Sequence, residues 1–169
     1  MNKYLIWIPL ILFLVSCSKD DNSIVADTDY TATGFLMGKI NTVTWSADKI
    51  EAHKEASTIY ITGTKNYDAG SLYSASKINF RIINLTQPVT AGIGENEPGY
   101  QYFVKANYTL TFTDGSKDKV YTAYYRNYSL MNLTRINDKG IDATFIFKAY
   151  SGDFSDSVIV TDGVFKIDY

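Results

Sequence analysis

One histidine, one cysteine and a few closely spaced carboxylates are the residues of this chain from which reactive chemistry could be built. His53 is the sole imidazole, so a multi-histidine metal site is unavailable and a catalytic triad unsupported. No serine stands in a Gly-x-Ser-x-Gly turn, and His53 reads as an ordinary strand residue. Two carboxylate pairs, Glu95 with Glu97 and Asp153 with Asp156, fall in loops. A glycosidase needs two carboxyls about 5–10 Å apart across a sugar-sized cleft, and neighbours within one loop do not oppose each other in that way. Asp114-Gly115-Ser116-Lys117-Asp118 spaces its oxygens as a calcium loop does, but Lys119 stands where the sharp-turn glycine belongs and Tyr125 where the bidentate glutamate belongs, so a hairpin turn is expected. Gly92 and Gly94 precede no helix and cradle no phosphate. No catalytic residue, metal site or cofactor is therefore expected.

Aromatic side chains offer a different chemistry. Fourteen tyrosines and two tryptophans help bring aromatics to 15% of the chain, and Tyr121, Tyr124, Tyr125 and Tyr128 form the densest group. Rings exposed on a rigid sheet stack on sugar faces; rings buried in one serve cross-strand pairing and the core. Charge narrows the partners further. With 16 basic and 18 acidic side chains and no basic block, the chain lacks the electrostatic footprint of a nucleic-acid binder.

At the amino terminus, Lys3 is followed by an apolar run from Tyr4 to Val15 and then by Ser16 and Cys17, the three-part layout of a secretory signal. Such a run is too short to span a bilayer, which needs roughly 20 helical residues. Leu14-Val15-Ser16-Cys17 resembles the lipobox of bacterial lipoproteins. That resemblance implies cleavage after Ser16, a diacylglycerol on the Cys17 sulfur and attachment to a membrane through the acylated Cys17. Loss of Lys3 with the signal would move the formal charge from −2 to −3. With its single cysteine consumed by lipid, the chain would have no thiol or disulfide chemistry. Lys19-Asp20-Asp21 resembles the export tag of Bacteroidetes-type surface lipoproteins, which implies delivery to the outer membrane, facing outward. The expected organisation is a signal over residues 1–16, the lipidated cysteine and a polar tether over 17–33, and one domain over 34–169.

The elements that must position any site follow a period of two from Gly34 onward. Phe35 to Ile40 and Val43 to Trp45 read as a hairpin turning at Asn41-Thr42, and Asp48 to Glu55 fits a helix or a strand, with strand favoured by its flanks. Thr58–Thr62 and Lys77–Leu85 alternate cleanly. Thr86–Gly99, with Pro88, Pro98 and three glycines, is expected to hold no regular element. Tyr100–Phe112 alternates for so long that a bulge is expected inside it. Asp114-Gly115 and Asn137–Gly140 read as turns between the strands Val120–Tyr125, Ser129–Ile136 and Ile141–Ala149; Asp162-Gly163 separates Val158–Thr161 from Val164–Tyr169. Nine or ten short strands without a convincing helix predict an all-β fold, an antiparallel sandwich or a barrel-like sheet.

Phe35 through Trp45, with Trp45-Ser46-Ala47, resembles the opening of a group of uncharacterised Bacteroidetes-type lipoprotein domains that begin with a strand, an Asn-Gly turn and Trp-x-Ala. Leu133–Ile136, Ala143–Ala149 and Val160–Phe165 resemble that group's closing half, although Ala143 stands where it usually has glycine. The resemblance implies a fold and an address. Together these readings anticipate a lipid-anchored envelope protein whose β domain is a non-catalytic binding or structural module for glycan or a protein partner. The alternative is a small exported hydrolase acting on envelope or dietary polymers. Exposed rings on one face would favour the first; two facing carboxylates in a cleft would favour the second.

Overall fold

A strand that alternates polar and apolar side chains has one wet and one dry face, and a long sheet built from such strands must bury its dry face by packing on another layer or by curling on itself. The computed structural model of this chain describes residues 28–30, 32–95, 103–124 and 129–169. The second solution is the one observed. In chain order the strands are β1 (Thr28–Tyr30), β2 (Thr33–Ile40), β3 (Val43–Ser46), β4 (Lys49–Glu55), β5 (Thr58–Asn66), β6 (Tyr73–Ile83), β7 (Val89–Gly92), β8 (Val104–Phe112), β9 (Lys119–Ala123), β10 (Leu130–Asn137), β11 (Gly140–Ser151) and β12 (Ser157–Asp168). Among the described residues there is no helix.

These strands form one antiparallel sheet in the order β1-β4-β5-β6-β8-β9-β11-β12-β2-β3. It forks at β11. Along one edge of that strand, β9 pairs with its last residues, Ala149 to Ser151, while β10 pairs with Gly140 to Ile146 and takes β7 on its own outer edge. Ser129, fully buried, staples the fork: its hydroxyl accepts the Lys148 N–H at 3.2 Å and donates to the Tyr124 carbonyl at 3.1 Å.

The sheet then curls into a half-barrel, the barrel-like alternative. Phe80 of β6 meets Phe145, Phe147 and Phe165 of β11 and β12 across the interior, with ring centroids 4.7–6.0 Å apart. At the end of the sheet, Trp45 of β3 reaches back to β6, donating from Nε1 to the buried Ser76 Oγ at 2.8 Å. Gly63 of β5 makes room for it, since a Cβ there would stand 3.2 Å from Trp45, Leu36 and Ala47 alike.

Several local expectations are corrected. Thr28–Tyr30, inside the stretch read as tether, pairs with Ala52–Lys54, so ordered chain begins before Gly34. β7 lies within the proline- and glycine-rich stretch; Pro88 immediately precedes it, where no ladder N–H is lost. Segment 49–55 is a strand, as favoured. Of the long alternation, β8 begins at Val104; Tyr100 and Tyr102 lie outside the described residues. Asp162-Gly163 is not a turn: β12 runs through it, Asp162 adopts φ 51°, and the register slips against both neighbours, which makes it a β-bulge. A Cβ on Gly163 would stand 2.2 Å from the Phe145 ring.

The Phe145 ring is fixed by the other core phenylalanines and cannot withdraw. Gly163→Ala is therefore expected to cost about 3 kcal/mol through overpacking, read as a lowered urea midpoint with an unchanged m-value.

Candidate functional site

β11 leaves the barrel at Ser151, at the rim that also holds the end of β8 and the start of β9, and a short loop returns the chain to β12. That loop is fixed by its own polar side chains. Ser151, buried, donates from Oγ to Asp153 Oδ1 at 2.6 Å and accepts the Asp156 N–H at 3.1 Å. Ser155 donates its hydroxyl to the same carboxylate at 2.8 Å. Asp156 closes the other side: Lys119 Nζ lies 2.6 Å and the Tyr121 hydroxyl 2.8 Å from its Oδ2, and Oδ1 accepts the Ser157 N–H at 2.7 Å.

Between the two carboxylates the chain is forced to present Phe154. It adopts φ 59°, in the left-handed region a bulky side chain avoids, and keeps 59% of its surface exposed. Its ring packs against Tyr124 at 5.2 Å and Tyr150 at 5.7 Å, and those two rings are 6.3 Å apart. Lys148 Nζ sits 5.0 Å over the Tyr150 ring. The three rings form an outward-facing cluster at the β11–β12 rim, supported from beneath by the Ser129 staple on the Tyr124 carbonyl.

Hydrogen bonding sets the charges around the cluster. Donation from Ser151 and then Ser155 pulls the Asp153 carboxyl down to about 2. The hydrogen bond from Lys119, then that from Tyr121, lowers Asp156, and the Lys119 ammonium is raised in return, chiefly by Asp156. Burial raises the Tyr121 hydroxyl. Both carboxylates are anionic at neutral pH, and their oxygens are engaged by donors.

Residues 32–167 match the family described as Domain of unknown function (DUF6252). The chain belongs to that family. No curated protein and no solved structure matches it. The matched span of the DUF6252 domain covers β2 to β12 and includes all three rings, while β1 precedes it.

The DUF6252 domain redistributes the residues singled out from sequence. Tyr124 is at the rim, but Tyr121 is not part of an exposed platform: it is 3% exposed, its ring lies 6.1 Å from that of Tyr108, and it acts as a support by bonding Asp156. Along β9 the inward positions are Tyr121 and Ala123, so Tyr121 is committed to the core by parity. Tyr125 and Tyr128 lie outside the described residues, as do Cys17, Lys19, Asp20, Asp21 and Glu97. Phe154 and Tyr150 were missed. Tyr150 was readable from the outward parity of β11, whereas the orientation of Phe154 rests on a backbone angle that no spacing reveals.

The remaining candidates are engaged by neighbouring groups. Asp153 and Asp156 face their own donors rather than each other across a cleft, and Glu95 bonds Lys105 at 2.7 Å. Asp114 Oδ1 accepts the Ser116 N–H at 2.9 Å, and Gly115 has φ 78°, which is turn geometry. His53 stacks on Tyr60 at 4.5 Å. Among the described residues no group of three histidine, cysteine or acidic side chains could hold a metal ion.

Because the folded-state pKa of Asp153 is depressed from 3.8 to about 2, its contribution to stability is complete above pH 4 and is lost as the pH falls through about 2. Asp153→Asn should flatten the fall in melting temperature between pH 4 and pH 2, measured by thermal denaturation against pH, while leaving the slope between pH 5 and pH 7 as in the parent.

Proposed function

We propose that this chain is a lipid-anchored protein of the cell envelope, carried on the outer membrane by an acylated Cys17, whose β domain is a non-catalytic module that binds glycan on Tyr124, Tyr150 and Phe154. The observation behind the binding site is Phe154. A phenylalanine held at positive φ costs on the order of 1–3 kcal/mol, and such strain concentrates at functional sites. Here the surrounding loop imposes it for no gain in burial, since the ring remains 59% exposed. A rigid ring with two tyrosine neighbours is suited to the apolar face of a sugar.

The proposed address rests on the lipobox resemblance of Leu14-Val15-Ser16-Cys17 and the tag resemblance of Lys19-Asp20-Asp21. It is compatible with the geometry of the domain. Thr28 pairs with Lys54 at the end of the barrel that holds Ile83, Gly140 and Asp168, opposite the rim that carries Phe154. Ten residues lie between Cys17 and Thr28, a span of at most about 40 Å even when fully extended. An anchor pulling from that end leaves the aromatic rim directed away from the lipid. The hydrolase reading finds no support in Asp153 and Asp156, because a glycosidase needs one carboxyl held protonated and both of these are driven the other way.

Glycan-array binding by the full mature chain is expected to show defined hits among neutral glycans, with Phe154→Ala reducing apparent affinity for them at least tenfold, about 1.4 kcal/mol. Silence on every neutral glycan, or neutral-glycan hits indifferent to Phe154→Ala, would remove this function. Metabolic labelling with a fatty-acid probe should tag the parent and not Cys17→Ala; equal labelling of both would remove the anchor.

A further inference from the structure

A second set of side chains comes together on the outer face of the sheet, with Asn107 of β8 two strands along from Tyr150 of β11. Cross-strand register places His53, Tyr60, Arg81 and Lys105 side by side on β4, β5, β6 and β8, and one pair further along each strand places Thr62 beside Asn79 and Asn79 beside Asn107. They line an open groove of about 360 Å³, with Glu95 at its border. That is within the size range of small-molecule sites, roughly 300–1,000 Å³.

We infer that this groove is a second binding site, for a carboxylate-bearing sugar residue. The cation is Arg81. Its guanidinium lies 5.8 Å over the Tyr60 ring, which is backed on β4 by His53 stacked at 4.5 Å and nearly parallel at 8°. This stack restrains the stem and leaves the planar fork of donors for an anion, since Arg81 has no carboxylate partner among the described residues. Two other charged pairs stand near the groove: Lys105 Nζ is 2.7 Å from Glu95, and Glu51, on the neighbouring row, is 2.7 Å from Lys49. Asp29 of β1 pairs in register with His53 at the far end of the row, three strands from Arg81, so the cation left for a ligand is Arg81.

The floor points to a sugar rather than a bare anion. Thr62 donates to Asn79 Oδ1 at 2.9 Å, which orients the Asn79 amide and leaves its N–H donors for a ligand. Asn107 Oδ1 is buried and has no hydrogen-bond partner among the described residues, a costly arrangement for an acceptor. A bare sulfate or phosphate would fill only the Arg81 end of the groove, whereas an acidic sugar spans it: its carboxylate meets the guanidinium and its hydroxyls accept from the Asn79 amide.

Calorimetry on the full chain in detergent, with trigalacturonate, its neutral galactose counterpart and inorganic sulfate as probes, decides the matter. Trigalacturonate should bind, and more weakly as sodium chloride is raised from 50 to 500 mM. Arg81→Gln, at an exposed position and with the parent's melting temperature, should lose at least tenfold in affinity; Arg81→Lys, which keeps the charge without the fork, should lose several-fold. Phe154→Ala should bind trigalacturonate as the parent does, so failure here and failure of the aromatic rim are distinguishable. Equal binding of the neutral trisaccharide, parental affinity in Arg81→Gln, sulfate competing as well as the uronate, or no binding of trigalacturonate at all would each overturn the site.

Discussion

A single buried hydrogen bond, from Trp45 Nε1 to Ser76 Oγ, joins one edge strand of this sheet to a strand far from it in the pairing order. Its net worth as a hydrogen bond is about 1 kcal/mol, but leaving either buried partner unpaired costs on the order of 1–3 kcal/mol, and that asymmetry gives the contact its authority. The same serine oxygen meets the Tyr67 hydroxyl at 2.9 Å, and the Tyr108 hydroxyl, raised mainly by burial, shares the cluster. Any uncurling of the sheet that withdrew β3 would orphan the indole N–H inside an apolar core and empty the space above Gly63. Curvature is therefore not left to strand twist alone. It is fixed at one place by chemistry that tolerates no partial version, and the phenylalanine layer of β6, β11 and β12 packs within the enclosure that results.

The fork at β11 is the second constraint, and it links the fold to the rim. Two strands cannot both pair with one edge without a place where the ladder is interrupted, and the backbone groups freed there must find partners. Ser129 supplies them, accepting from Lys148 and donating to Tyr124, while its own carbonyl accepts the Ile93 N–H at 2.9 Å. Tyr124 is thus held at the point where the sheet divides. Its ring stands beside Tyr150 and Phe154 because of backbone bonding, rather than because the rings attract each other, so the cluster exists before any ligand arrives. Preorganisation of this kind removes much of the ordering cost that binding would otherwise incur.

How much of this was legible in the sequence can be judged from particular residues. The alternation was readable, and with it the all-β class, because a period of two is written into each strand separately. The Trp-x-Ala opening was readable as a motif, and its physical meaning now follows: Trp45 and Ala47 both pack on Gly63, while Ser46 between them points outward. What local pattern could not reveal was what crosses the interior. Asp114-Gly115 and Asp162-Gly163 are the same dipeptide, yet the first turns the chain and the second bulges a continuous strand because Phe145 lies over Gly163. Asn41-Thr42 lacks the usual glycine but turns with φ of 47° and 75°, because Asn41 bonds Ile159 through both its backbone N–H and its side-chain oxygen. Counting tyrosines by proximity grouped Tyr121 with Tyr124, when strand parity had already sent Tyr121 inward.

The two candidate sites divide the chemistry of recognition between them. At the rim Phe154 is exposed beside two half-buried tyrosines, the nearby carboxylates are bonded by their own donors, and Lys148 stands over Tyr150. In the groove the ring of Tyr60 lies between His53 and Arg81, so stacking is already internal and what remains exposed is one guanidinium and a floor of amides. Thr122 of β9 pairs with Tyr150 on one side and with Asn107 on the other, so the two sites meet along a single cross-strand row of the sheet.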